Sequence, residues 1–178
     1  MLKFFKKRST FLENKNTVIL NKKASSKVRK LTISAVVIAL YVVIMFFTQS
    51  FAFGQFQIRI ATSIYSLAAI YPFLIIPMGI ANLFSNTLMG GLGPFDIVGG
   101  FIVGIITAGC CYYLKKINVV LVAIPILVIP SLLVPIWLSY LIQVPYSILV
   151  VSIGIGQILP SILGIFIVKY LEVPLSKI

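Results

Sequence analysis

FGQFQIRIATSIYSLAAIYPFLIIPMGIANLFSNTLMGGLGPFDIVGG, residues Phe53–Gly100, gathers most of the polarity of an otherwise greasy chain. Gln55, Gln57, Arg59, Thr62 and Ser63 come first, then Asn82, Ser85, Asn86 and Thr87, and last Asp96. Pro72, Pro77 and the run Gly90-Gly91-Leu92-Gly93-Pro94 interrupt the helices among them. Polar side chains set among apolar ones in lipid are costly, and such residues mark a functional site by default.

The surroundings are lipid-soluble. Of 178 residues 60% are hydrophobic and 10% charged, where a soluble domain carries about 25% charged residues. The mean hydropathy is +1.13, so the chain reads as an integral membrane protein. Its net charge of +12 is concentrated: ten of the fifteen Lys and Arg lie within residues 1–30, against Glu13 alone. A basic block beside a first membrane helix marks the cytoplasmic side and attracts anionic lipid. No fold signature or aromatic interleaving supports nucleic-acid binding.

One domain is expected, an all-α transmembrane domain at 31–178, preceded by a basic cytoplasmic extension at 1–30. The apolar run Leu31–Thr48 is too long for a signal peptide's core of roughly 7–15 residues, so helix 1 is read as uncleaved. An outside loop is expected at Gln49–Ala61. Helix 2 is expected over Thr62–Ile76, with a turn at Pro77-Met78-Gly79, and helix 3 over Ile80–Met89. Helices 4, 5 and 6 are expected over Phe95–Leu114, Val119–Leu141 and Tyr146–Leu171.

Treating 62–89 as two helices makes a six-helix bundle with both termini inside. Fourteen basic residues then face the cytoplasm and only Arg59 faces out, as the positive-inside rule favours. The prolines 125, 130 and 135 predict a bent helix 5. Cys110 and Cys111, neighbours in an apolar run, read as free thiols that fill space.

Several chemistries are excluded. The chain has no histidine, which removes His-based zinc sites and Ser-His or Cys-His nucleophile pairs. The dipeptide Gly-Lys never occurs, so there is no phosphate-binding loop, and any ATP hydrolysis must come from another chain. No acid–base pair or nucleophile constellation can be assembled, and no cofactor is expected. A secondary transporter needs ion-coupling carboxylates at the membrane midplane, and only Asp96, near an interface, is available.

On this topology Arg59, Asn82, Asn86 and Asp96 converge toward the outer side, with Asn82 and Asn86 on one helix face. Such a cluster suits a small planar polar solute. Each member also has a structural reading. Arg59 can snorkel to the interface. Asp96 can favour the positive end of the helix 4 dipole. The asparagines can bond between helices. Gln157 can cover the carbonyl freed by Pro160, and Trp137 and Tyr140 can be interfacial aromatics. Ala35 and Ala39, a small-xxx-small pair, serve either an internal helix contact or a partner.

The run Phe53-Gly54, Phe56-Gln57-Ile58-Arg59-Ile60, then Ala81-Asn82-Leu83-Phe84, then Leu92-Gly93-Pro94-Phe95-Asp96-Ile97-Val98-Gly99-Gly100, resembles the queuosine-precursor transporters of the QueT type. These are regarded as substrate-binding S-components of energy-coupling factor (ECF) importers. The resemblance implies six spans in a bacterial plasma membrane and a partnership with a transmembrane coupling subunit and two ATPases. It implies docking through Ala35 and Ala39. It also implies a pocket drawn from Gln57, Arg59, Thr62, Asn82, Asn86, Asp96 and Gln157 beneath a 49–61 lid.

Two positions depart from the family pattern. Thr62 stands where a Glu is expected, and the family's Gly-Glu in the last helix is Gly156-Gln157. Ionised carboxylates suit a cationic aminomethyl deazaguanine. Thr62 and Gln157 point instead to a neutral relative, such as the nitrile or the free base. An S-component for another vitamin-like solute, or a scaffold whose polar cluster only holds helices together, are the alternatives.

Overall fold

The computed structural model describes residues 2–54, 56–89 and 91–176, with side chains described at 24–54, 56–89 and 91–174. Gln55, Gly90 and Lys177, and the side chains of the first 23 residues including Glu13, lie outside this set. The chain divides into two compact units, Met1–Ala35 and Val36–Ile178.

The first helix, α1, runs Leu2–Ala52. It begins well before Leu31 because the Lys-rich stretch contains no Gly or Pro, the residues that would end a helix. In the second unit it is followed by a 3-10 helix η1 (Ile60–Ala69), a short 3-10 turn η2 (Pro72–Leu74), and α2 (Ile75–Leu88). Then come α3 (Pro94–Lys115), the 3-10 turn η3 (Val119–Val122), α4 (Ala123–Ile142) and α5 (Tyr146–Ser176). The last three helices lie close to where the sequence places them, except that the fifth opens with the turn η3 and the sixth runs past Leu171 to Ser176. The expected 49–61 loop contracts to Phe53–Arg59.

The break between the second and third helices falls at Ile70-Tyr71, not at Pro77-Met78-Gly79. A residue before proline is pushed out of the helical region, and Tyr71 is extended at φ −121°, ψ 93°. Pro77 falls in the first turn of α2, where a missing amide proton is tolerated.

Among the described residues four helices are long and apolar enough to cross a membrane: Ala24–Ala52, Pro94–Lys115, Val119–Ile142 and Tyr146–Pro174. Ile60–Ala69 and Pro72–Leu88 are apolar but shorter. Ten residues in 3-10 geometry rise about 20 Å, less than the roughly 30 Å of hydrocarbon.

The short helix η1 is the hub, in contact with α2, α3, α4 and α5, and every residue from Ala61 to Ala69 is buried. A three-residue repeat stacks side chains in rows. Thr62 and Tyr65 form one row, and Ser63, Ser66 and Ala69 another. Three hydroxyls fold back on the helix's own carbonyls: Thr62 to Arg59, Ser63 to Ile60 and Ser66 to Ser63, each at 2.7 Å.

Apolar clusters lie on either side of this polar centre. Ala69, Cys111, Val122, Ile126 and Val168 form one. Val103, Val134, Leu138, Leu149 and Ile153 form the other. Cys110 and Cys111 are free thiols. Near the first cluster Lys115 at the end of α3 pairs with Glu172 of α5, tying the ends of those helices together.

The α2–α3 crossing depends on absent side chains. A Cβ on Gly104 would stand 2.9 Å from the Gly79 Cα, and one on Gly79 would stand 2.8 Å from the Phe101 carbonyl oxygen. In lipid, where packing drives helix association, this closeness is the adhesive. Gly104→Leu should therefore lower stability in detergent by at least about 1–3 kcal/mol. Gly109→Ala, whose new Cβ would meet only Ile75 at 4.0 Å, should leave thermal unfolding unchanged.

Candidate functional site

The loop Phe53–Arg59 leaves α1 and turns back beneath itself. The Ile58 amide donates to the Phe51 carbonyl at 3.0 Å and the Gln57 amide to Gly54 at 3.0 Å. Gln57 takes the left-handed conformation, φ 45°, which a side chain rarely adopts. The loop's backbone presses onto α5 at Gly156, where a Cβ would fall 1.8 Å from the Phe56 carbonyl oxygen. Next to it the Gln157 amide donates to the Gln57 carbonyl at 3.4 Å.

Arg59 follows as the N-cap residue of η1, and its carbonyl accepts the Thr62 amide at 2.9 Å. Its side chain is inside the protein, at 6% exposure, so it does not snorkel. Nη1 donates to the Asn82 Oδ1 at 3.4 Å and the Asn86 Oδ1 at 3.3 Å, and the guanidinium lies 5.0 Å from the centre of the Phe53 ring. The buried Nε finds no acceptor among the described residues.

The asparagines are aimed by the α3 backbone. The Asn82 Nδ2 donates to the Gly100 carbonyl at 2.9 Å and to the Tyr65 hydroxyl at 2.8 Å, and the Asn86 Nδ2 donates to the Asp96 carbonyl at 3.0 Å. A carbonyl oxygen can accept only from the NH₂ end of an amide, so both Oδ1 atoms are turned to Arg59. The Tyr65 hydroxyl also meets the Tyr41 hydroxyl of α1 at 3.0 Å, and the two rings stack at 5.6 Å.

Thr62 and Gln157, the neutral residues at the two departing positions, bond to each other. The Thr62 hydroxyl lies 2.9 Å from the Gln157 Oε1 and 2.7 Å from the Arg59 carbonyl, and shares its one proton between these acceptors. Gln157 therefore bridges helix and loop; it does not cover the carbonyl freed by Pro160.

Among the described residues, Gln57, Arg59, Thr62, Tyr65, Asn82 and Gln157 line a small cavity whose remaining wall is Val103, Pro130, Val134 and Ile153. The space open to the centre of a water molecule is about 10 Å³, roughly what one water requires. Among the described residues no group of three His, Cys, Asp or Glu gathers as a metal site would require.

Five of the seven expected pocket residues thus meet at one cavity. Asn86 stands behind them, holding Arg59. Asp96 lies outside the lining: its carboxylate accepts the Trp137 indole N–H at 3.0 Å and the Leu92 amide at 3.4 Å, joining α3, α4 and the preceding loop. Trp137 is therefore more than an interfacial aromatic. Ala35 and Ala39 are each exposed. The sequence reading missed Tyr65, whose only signal is an aromatic within a polar run. It also missed Phe53 under the guanidinium, Gly156 as the loop's seat, and the apolar wall.

The model of the QueT transporter family matches residues 31–173, most of the chain and all of the site. The chain belongs to the QueT transporter family. No curated protein and no solved structure matches it significantly. Family membership together with the apolar helices makes this QueT family member a multi-pass membrane protein with a transport role.

The seat at Gly156 makes a specific prediction. Gly156→Ala should unseat the loop, and limited proteolysis within 53–58 should become several-fold faster while α5 stays intact, because no Cβ tolerates a carbonyl at 1.8 Å.

Proposed function

We propose that this QueT family member is the substrate-binding S-component of an ECF-type importer in a bacterial plasma membrane. It captures a 7-deazaguanine-type queuosine precursor from outside, and uptake follows when a transmembrane coupling subunit and two ATPases engage it. The observation that carries this reading is the cavity. Oriented amides, a buried guanidinium with an open donor and an apolar wall suit one small heterocycle with hydrogen-bonding edges.

The arrangement supports a capture mechanism. Gln57, Arg59, Thr62, Asn82 and Gln157 contact the solute, while Asn86 and Asp96 hold the frame. The loop at 53–59 is the lid: lifting it from Gly156 opens the cavity, and closing it excludes water and strengthens each hydrogen bond. In the six-span arrangement both termini are cytoplasmic, and η1 and the 72–88 segment are two short crossings whose polar groups bond within the chain. Ala35 and Ala39, free of bulk and exposed, form the docking face for the coupling subunit.

A scaffold reading draws on one observation, that the asparagines, Thr62 and Gln157 all bond within the protein. Titration of detergent-purified protein with aminomethyl and nitrile deazaguanines, queuine, guanine, thiamin and riboflavin separates the readings. Submicromolar binding of one deazaguanine is expected. Tight binding of a vitamin instead would keep the mechanism and discard the substrate, and silence from folded protein would leave the scaffold. Replacing Ala35 and Ala39 together by Leu should abolish uptake in cells and leave solute affinity unchanged.

A further inference from the structure

A cation inside a membrane protein is ordinarily paired, and arginine, unlike lysine, stays charged when buried. Arg59 departs from that pattern. It is 6% exposed, and among the described residues no carboxylate lies within 4.0 Å of it. The acids whose side chains are described are committed elsewhere, Asp96 to Trp137 and Leu92, and Glu172 to Lys115. The rest of the cavity's polar lining is neutral: Gln57, Thr62, Tyr65, Asn82 and Gln157.

The guanidinium's bonds show which edge is reserved. Both contacts to the asparagines come from Nη1, at 3.3 and 3.4 Å, beyond the usual N–H···O range of about 2.7–3.2 Å. Among the described residues the guanidinium's hydrogen bonds all leave from Nη1, and Nε is buried without an acceptor. The edge made by Nε and Nη2 presents two parallel N–H bonds, the geometry that grips both oxygens of a carboxylate. The amides cannot turn to offer other partners, because the Gly100 and Asp96 carbonyls hold their NH₂ groups.

We infer that the solute supplies the missing counter-charge: the site binds a planar heterocyclic carboxylate, which seats both oxygens on the Nε–Nη2 edge of Arg59. Taken with the proposed function, on which the choice of heterocycle rests, this is a 7-deazaguanine bearing a carboxylate in place of the aminomethyl group. An aminomethyl cation would set a second positive charge beside a buried first. A nitrile would offer one weak acceptor to an edge built for two.

The test is titration of the full-length protein in detergent at pH 7 with the 7-carboxy, 7-cyano and 7-aminomethyl deazaguanines, and with nicotinate and orotate as carboxylates on other rings. The carboxy compound should bind more tightly than the nitrile by about tenfold or more, as one added charge-assisted bond provides, with the aminomethyl compound weakest. Arg59→Lys, which keeps the charge and loses the two-pronged edge, should erase most of the margin between carboxylate and nitrile. Gln157→Glu, which adds an acid to the lining, should weaken the carboxylate and strengthen the aminomethyl cation. If the nitrile or the aminomethyl compound binds wild-type protein as tightly as the carboxylate, the inference is overturned and the deazaguanine reading survives. If only nicotinate or orotate binds, the charge inference stands and the deazaguanine falls. Silence from every compound with folded protein overturns both. The wild-type ranking decides the matter even where a variant fails to fold.

Discussion

Every backbone and side-chain polar group carried into hydrocarbon must find its partner inside the protein. Residues 53–69 are where this constraint is most severe, and the second unit is built around meeting it. The helix η1 is buried throughout and packed by four others, yet it carries Thr62, Ser63, Ser66 and the Tyr65 hydroxyl. Its threonine and serine hydroxyls bond to carbonyls three residues back, the same carbonyls that 3-10 geometry uses for its amides, while the Tyr65 hydroxyl meets Asn82 and Tyr41. A polar segment thereby becomes a self-satisfied rod against which apolar helices can close.

Arg59, Thr62 and Tyr65 are the residues at and within this rod that line the cavity. Arg59 sits where η1 begins and is reached from α2 by two amides that α3 carbonyls hold in place. Three elements therefore fix one guanidinium, and its open edge follows from what they occupy. Thr62 and Gln157 extend the same logic to α5, and Gln157 carries it to the loop through the Gln57 carbonyl. The loop rests on α5 only because Gly156 offers bare backbone. One missing methyl group and one long hydrogen bond seat the loop against α5.

The polar positions divide by what they touch. Arg59, Thr62, Asn82 and Gln157 were readable as a cluster because polarity is rare in this chain, and rarity in lipid is itself a signal. Asp96 was visible for the same reason, but its partner Trp137 lies 41 residues away on α4 and turns it from a lining group into a clasp. Tyr65 and Phe53 carried no such signal, since aromatics are common in membrane helices. Their roles come from a hydroxyl meeting Asn82 and a ring lying under a guanidinium.

By itself the sequence determined the class of protein, the positions of the last three helices, and the family whose pattern runs through 53–100. Those follow from hydropathy, proline and glycine placement and charge, which are local properties. It misplaced the turn after the second helix because Pro77 and Gly79 look like a breaker, whereas Tyr71, forced extended by Pro72, is the one. It did not give the 3-10 winding of η1, since no sequence rule selects a three-residue repeat without the crowding of the helices around it. Only the tertiary structure decided which end of each amide faces Arg59, and that the guanidinium meets no acid among the described residues. Both depend on backbone carbonyls and side chains brought from distant parts of the chain, and distance in sequence carries no record of that approach.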